Sequence, residues 1–173
     1  MSHGHHQGCC GHSHGSTHGG CGGSCCKSKG AGITIDQYEL AILKELLEYN
    51  FLPISRFVMC SSHADKARFV ALAPVYIFDE SDSMAEVKSF AERLKTMQEK
   101  NLISLDYDVI LQGYDYERHR SSDLFRYFAR TVKDGAQKPG FLCDVAELEC
   151  GSIALTPFGR AAAGKFFGRK EAL

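Results

Sequence analysis

No tryptophan occurs among the 173 residues, proline appears only four times, and nothing approaches the ~18 consecutive apolar residues of a membrane-crossing helix. The amino terminus has neither the basic nor the apolar segment of a secretory signal, so a cytoplasmic chain with no membrane partner is expected. Charge of one sign is also lacking. The formal net charge is −1, divided as +2 over residues 1–32 (Lys27 and Lys29) and −3 over the remainder. That balance excludes strong nonspecific attraction to nucleic acid and leaves any DNA contact to a local patch. G-x-S-x-G, P-loop, H-E-x-x-H and G-x-G-x-x-G patterns are absent, and no enzymatic activity is expected.

What is present is unevenly placed. Residues 1–26 hold six of the eight His, five of the eight Cys and eight Gly, but no Leu, Ile, Val, Phe or Tyr. Such a segment cannot bury apolar surface to offset the entropy of ordering its backbone, and it is expected to be disordered without a ligand. The cysteine count of residues 1–26 is odd, with two vicinal pairs, and the rest of the chain is large enough to need no covalent staples; reduced thiols are expected rather than a disulfide framework.

The tail is rich in metal donors: His3, His5, His6, Cys9, Cys10, His12, His14, His18, Cys21, Cys25 and Cys26. Imidazole and thiolate suit zinc, nickel and copper, and glycine lets a short chain wrap an ion without steric cost. Eleven donors fill two or three sites of about four ligands each. His3-x-His5 and His12-x-His14 place both rings on one side of an extended segment, and Cys21-x3-Cys25 closes a loop over one ion. A transition-metal ion, zinc or nickel first and copper next, is the expected cofactor. The tail resembles the His/Cys-rich extensions of nickel-handling accessory proteins, which implies metal handling. Residues 27–32 (Lys-Ser-Lys-Gly-Ala-Gly) read as a flexible linker. The expected organisation is therefore a disordered metal-binding tail and linker over 1–32, then one domain over 33–173.

Periodicity and caps give the domain its elements. A helix is expected over 36–49, with Thr34 or Asp36 as cap and Ile42, Leu43, Leu46 and Leu47 inward. Pro53 suits the first turn of a short second helix towards Cys60. Residues 69–78 are β-rich but carry Pro74, which predicts an edge strand or an extended segment, followed by an acidic turn over 79–82. Ser83-x-x-Glu86 is a capping box opening a helix that Asn101 ends, with Val87, Phe90, Ala91, Leu94 and Met97 inward. A strand over 102–109, a helix from Ser121 or Ser122 to Lys133, a hairpin of 142–150 and 152–156 turning near Gly151, with a short helix as the other reading of its first arm, and a last helix opened by Thr156-Pro157 and closed by Gly168 complete the chain.

The junction Leu94-x7-Leu102-Ile103, followed by a strand, and the later Leu155-Thr156-Pro157-Phe158-Gly159-Arg160 resemble winged-helix regulators of the MarR, PadR and ArsR type. In those families the first motif closes the recognition helix and opens the wing, and the second closes the wing and begins the next helix. The resemblance implies an α+β, winged helix-turn-helix-like domain. It departs from that pattern in a turn stretched over 61–82 and in some 40 residues (111–151), helix included, inserted at the wing tip. It would place Lys88, Ser89, Arg93, Lys95, Thr96 and Lys100 against double-stranded DNA; the alternative is a solvated helix face with Lys88/Glu92 and Lys95/Glu99 as i,i+4 pairs.

Outside the tail, Cys60-x2-His63 has ligand spacing, and Cys143 with Cys150 would complete four ligands if the fold brought them together; buried inert cysteine is the other reading. His119, among Tyr114, Tyr116, Arg118 and Arg120, reads as a surface loop residue. Phe158, Phe166, Phe167 and Tyr127 offer aromatic surface for a homodimer or for the domain's own core. Two functions follow. One is a metal-responsive winged-helix transcriptional regulator, dimeric on DNA. The other is a metal storage or delivery protein whose body is a protein-interaction scaffold.

Overall fold

The computed structural model describes residues 34–63 and 67–168. The elements run α1 (Gln37–Tyr49), β1 (Phe51–Cys60), β2 (Arg68–Val75), α2 (Met84–Glu99), β3 (Ile103–Asp106), α3 (Glu117–Ser121), α4 (Asp123–Gly135), β4 (Val145–Leu155) and α5 (Pro157–Phe167). The strands make one antiparallel sheet in the order β2-β1-β4-β3, and the architecture is α+β. The expected tail disorder and all eleven tail donors lie outside the described residues.

Local hydrogen bonding sets where the helices begin. Asp36 accepts from the backbone of Tyr38 and Glu39 while Glu39 reaches back to Asp36 N, and Ser83 with Glu86 repeats this reciprocal box at α2. Each box satisfies amide donors that a helix start otherwise leaves bare. Ser122 caps α4, Thr156 caps α5 with Pro157 in the first turn, and Asn101 takes the left-handed position (φ 57°) beyond α2.

The strands depart from expectation in two places. The segment after Pro53 is the central strand β1, not a helix. Its ten residues pair in unbroken register with β4, from Phe51↔Ala154 to Cys60↔Val145. Pro53 is tolerated because β2 covers β1 only from Ser55 onward, so an amide is dispensable there. Where the winged-helix resemblance expects a second helix, the chain is therefore a strand. The expected hairpin at Gly151 is likewise one continuous strand, the eleven-residue β4. A Cβ at Gly151 would lie 2.2 Å from Asp106 O and 2.7 Å from Tyr107 Cα, so this glycine admits a close backbone crossing and does not make a turn. The strand expected over 102–109 is shorter, Ile103–Asp106, and pairs with β4. β2 is an edge strand as expected, with its pairing to β1 irregular near Pro74.

Because side chains alternate along β1 and β4, the two strands bury both faces of the sheet. Leu52, Ile54, Ile153 and Leu155 join Leu43 and Leu46 of α1, Leu94 and Met97 of α2 and Ala163 of α5 in one cluster. On the other face Phe57, with Leu148 beside it, packs with Leu124, Phe125 and Phe128 of α4.

Candidate functional site

Metal ligation in the body requires Cys60, His63, Cys143 and Cys150 to converge; Cys143 comes beside Cys60, where Asp144 N donates to Cys60 O, but Cys150 does not join them. Register puts Cys60 opposite Val145 and Cys150 opposite Ser55, five residues apart along β1 or roughly 17 Å at strand rise. Odd and even positions also send the two side chains to opposite faces. All three of these cysteines are buried and reduced, and burial pushes the Cys60 and Cys150 thiols up. His63 is exposed and stands 3.8 Å from Asp144, which Ser62 also holds. Among the described residues, no three His, Cys, Asp or Glu side chains lie close enough to share an ion.

The six residues set out for DNA on α2 are placed as follows. Arg93 donates to Asp36 at 2.9 Å, with its guanidinium 4.2 Å above the Tyr38 ring. Lys100 bridges both oxygens of buried Glu39 (2.7 and 2.9 Å) and donates to Thr34 O. Lys95 pairs with Glu92, and the Thr96 hydroxyl donates to the Glu92 carbonyl. Lys88 and Ser89 are exposed. The face that would meet phosphate is thus largely neutralised, two of its cations by the start of α1. The Lys95 partner is Glu92, at i,i−3, and not the expected Glu99.

A cavity of about 690 Å³ opens between α1 and α2, floored by Leu52 and Ile153. One wall is an aromatic cluster: Tyr76, Phe78 and Phe90 have ring centroids 4.7 to 5.1 Å apart. Tyr38 stands on the α1 lip beside Arg93, and Glu45, Asp82 and Glu86 line the remainder. Burial, and then the negative charge of Glu45, push the Tyr76 phenol up to about 12. Asp82 accepts from the amides of Phe78 and Asp79, and Glu86 accepts from Ser83, so both carboxylates are committed to shaping the rim. The sequence showed Phe90 only as a core residue. Nothing local in it signals that residues 38–45, 76–82 and 85–93 enclose one space.

His119 is fully buried on α3, not in a surface loop. Its Nδ1 lies 2.8 Å from Ser55 Oγ, and its Nε2 has no partner among the described residues. Burial, and then neighbouring Arg118, push its pKa down to about 4, so the ring is neutral. Tyr116 beside it donates to Gly151 O (2.7 Å) and accepts from Leu111 N, tying the segment before α3 to β4. Of the aromatic side chains considered for a dimer, Tyr127, Phe158 and Phe166 are exposed, whereas Phe167 packs on the core.

Compared with known proteins, the chain matches no family model, no curated protein and no solved structure.

Proposed function

We propose that this is a metal storage or delivery protein in which the Cys/His tail takes up transition-metal ions, zinc or nickel before copper, and the α+β body is an interaction scaffold. The observation that carries this reading is the crowding of eleven soft and borderline donors into residues 1–26. Two features of the body support the division of labour. Its described residues hold no cluster of metal ligands, and Arg93, Lys95 and Lys100 are paired within the domain instead of being left for phosphate.

A second reading is a dimeric winged-helix regulator whose DNA affinity follows metal occupancy. It is favoured by the order in which α2 passes through Asn101 into β3, β3 pairs with β4, and β4 enters α5 at Thr156-Pro157, a recognition-helix, wing and next-helix sequence with α3 and α4 inserted. That reading requires Arg93 and Lys100 to exchange carboxylates for phosphates. It also requires the metal to bind two conformations unequally, since equal binding shifts nothing.

The test is a zinc and nickel titration of the full chain beside a full-length variant with the tail His changed to Ala and the tail Cys to Ser, each also assayed for binding to duplex DNA at low salt. Metal storage predicts several ions per chain, none in the variant, and no DNA binding in any state. A tight ion retained by the variant refutes the tail as the site. Metal-dependent, saturable DNA binding moves the assignment to the second reading.

A further inference from the structure

Three properties of the cavity between α1 and α2 define what would fill it. At about 690 Å³ it falls in the size range of small-molecule sites, roughly 300 to 1,000 Å³. Its wall is aromatic: Tyr76, Phe78 and Phe90 line it and are packed against one another, and Phe78 is half exposed. Its charge is one-sided, with three carboxylates against Arg93, whose guanidinium is already occupied by Asp36 and the Tyr38 ring.

We propose that this cavity binds an amphiphilic organic cation, an ammonium or quaternary ammonium group carried on a compact hydrocarbon body. The hydrocarbon displaces water from Leu52, Ile153 and the ring walls. The cation gains the negative faces of the aromatic rings, which attract such groups most strongly where water is excluded. Asp82 and Glu86 are engaged by backbone amides and by Ser83, so Glu45 is the carboxylate left to face the ligand's charge. An anion would meet three carboxylates and no uncommitted lining cation, and a neutral molecule would gain only the walls.

The test is a titration of the isotope-labelled full-length protein, followed by amide chemical shifts, with benzyltrimethylammonium, benzyl alcohol and benzenesulfonate. The cation is expected to cause saturable shifts around residues 38–45 and 76–93 and to bind about tenfold more tightly than either of the others. Glu45→Gln, an exposed substitution, is expected to weaken the cation about fivefold and leave benzyl alcohol unchanged. Phe78→Ala is expected to weaken all binding. Glu99→Gln, at the far end of α2, removes the same overall charge and is expected to change nothing. The proposal is overturned if the neutral or anionic probe binds as tightly, if the shifts map elsewhere or fail to saturate, or if Glu45→Gln has no more effect than Glu99→Gln.

Discussion

Mild acid is expected to destabilise the body through His119. In the fold this ring is wholly buried, joined to Ser55 through Nδ1, with no acceptor among the described residues for a proton on Nε2, and its pKa is held down at about 4 against an ordinary 6.5. Above pH 6.5 neither the folded nor the unfolded chain protonates this site, and its stability contribution is complete. Between 6.5 and about 4 the unfolded chain takes up a proton that the native chain refuses, so stability falls as pH falls, by about 1.4 kcal/mol per unit. Below about 4 both states carry the proton and the loss from this group ends. The total is about 3 kcal/mol, a large share of the 5 to 15 kcal/mol typical of folded domains. Carboxylates whose pKa values the fold lowers, such as Asp36, Asp79, Glu86 and Asp144, add to acid sensitivity only as pH approaches their ordinary 3.8 to 4.5. Through most of the interval from 6.5 to 4.5 His119 therefore acts apart from them.

Urea unfolding followed by circular dichroism at half-unit pH intervals is the assay. For a slope of about 2 kcal/mol per molar, the midpoint drops by about 1 M across those two pH units, the full slope being reached only below 6.5. His119→Asn keeps a polar atom near the Nδ1 position for Ser55 and removes the titration. It is expected to be less stable at pH 7, because ring volume is lost, yet flat between pH 6.5 and 4.5. A wild-type midpoint that does not move in this window, or an Asn variant with the same slope, refutes the reasoning.

Other outcomes follow from single contacts. Gly151→Ala drives a Cβ into Asp106 O and Tyr107 Cα and is expected to cost more than about 3 kcal/mol, with amide protection lost first across the β3–β4 pairing. Lys100→Met leaves the carboxylate of Glu39 buried with its charge unpaired and is expected to cost about 3 kcal/mol by urea melts, with Glu39→Gln in the same background recovering part of the loss. Ser83→Ala removes one half of the α2 capping box and is expected to cost about 1 kcal/mol, read as a lower thermal midpoint. Leu94→Ala empties a fully buried position between α2 and the sheet and is expected to cost 2 to 5 kcal/mol, roughly, by the same melts.

The sequence by itself determined the features whose physics is local. Helix starts at Asp36, Ser83, Ser122 and Thr156 depend on a side chain bonding an amide two or three residues away, and that spacing is written in the chain. The metal-donor character of residues 1–26 is likewise a matter of composition. What the tertiary structure decided depends on partners far along the chain. β1 looked like a helix because a strand buried on both faces shows no alternation, and only its register with β4, some 90 residues later, makes it a central strand. Gly151 carried a turn signal until the crossing of Asp106 and Tyr107 showed why no side chain fits there. His119 sat among charged neighbours and read as exposed, yet Ser55, 64 residues earlier, draws it into the core. The cations of α2 could be read as free for DNA until Asp36 and Glu39, 57 and 61 residues away, were found against them. Capping and composition are settled within a few residues; burial, register and charge pairing are settled by whichever surface the folded chain brings alongside.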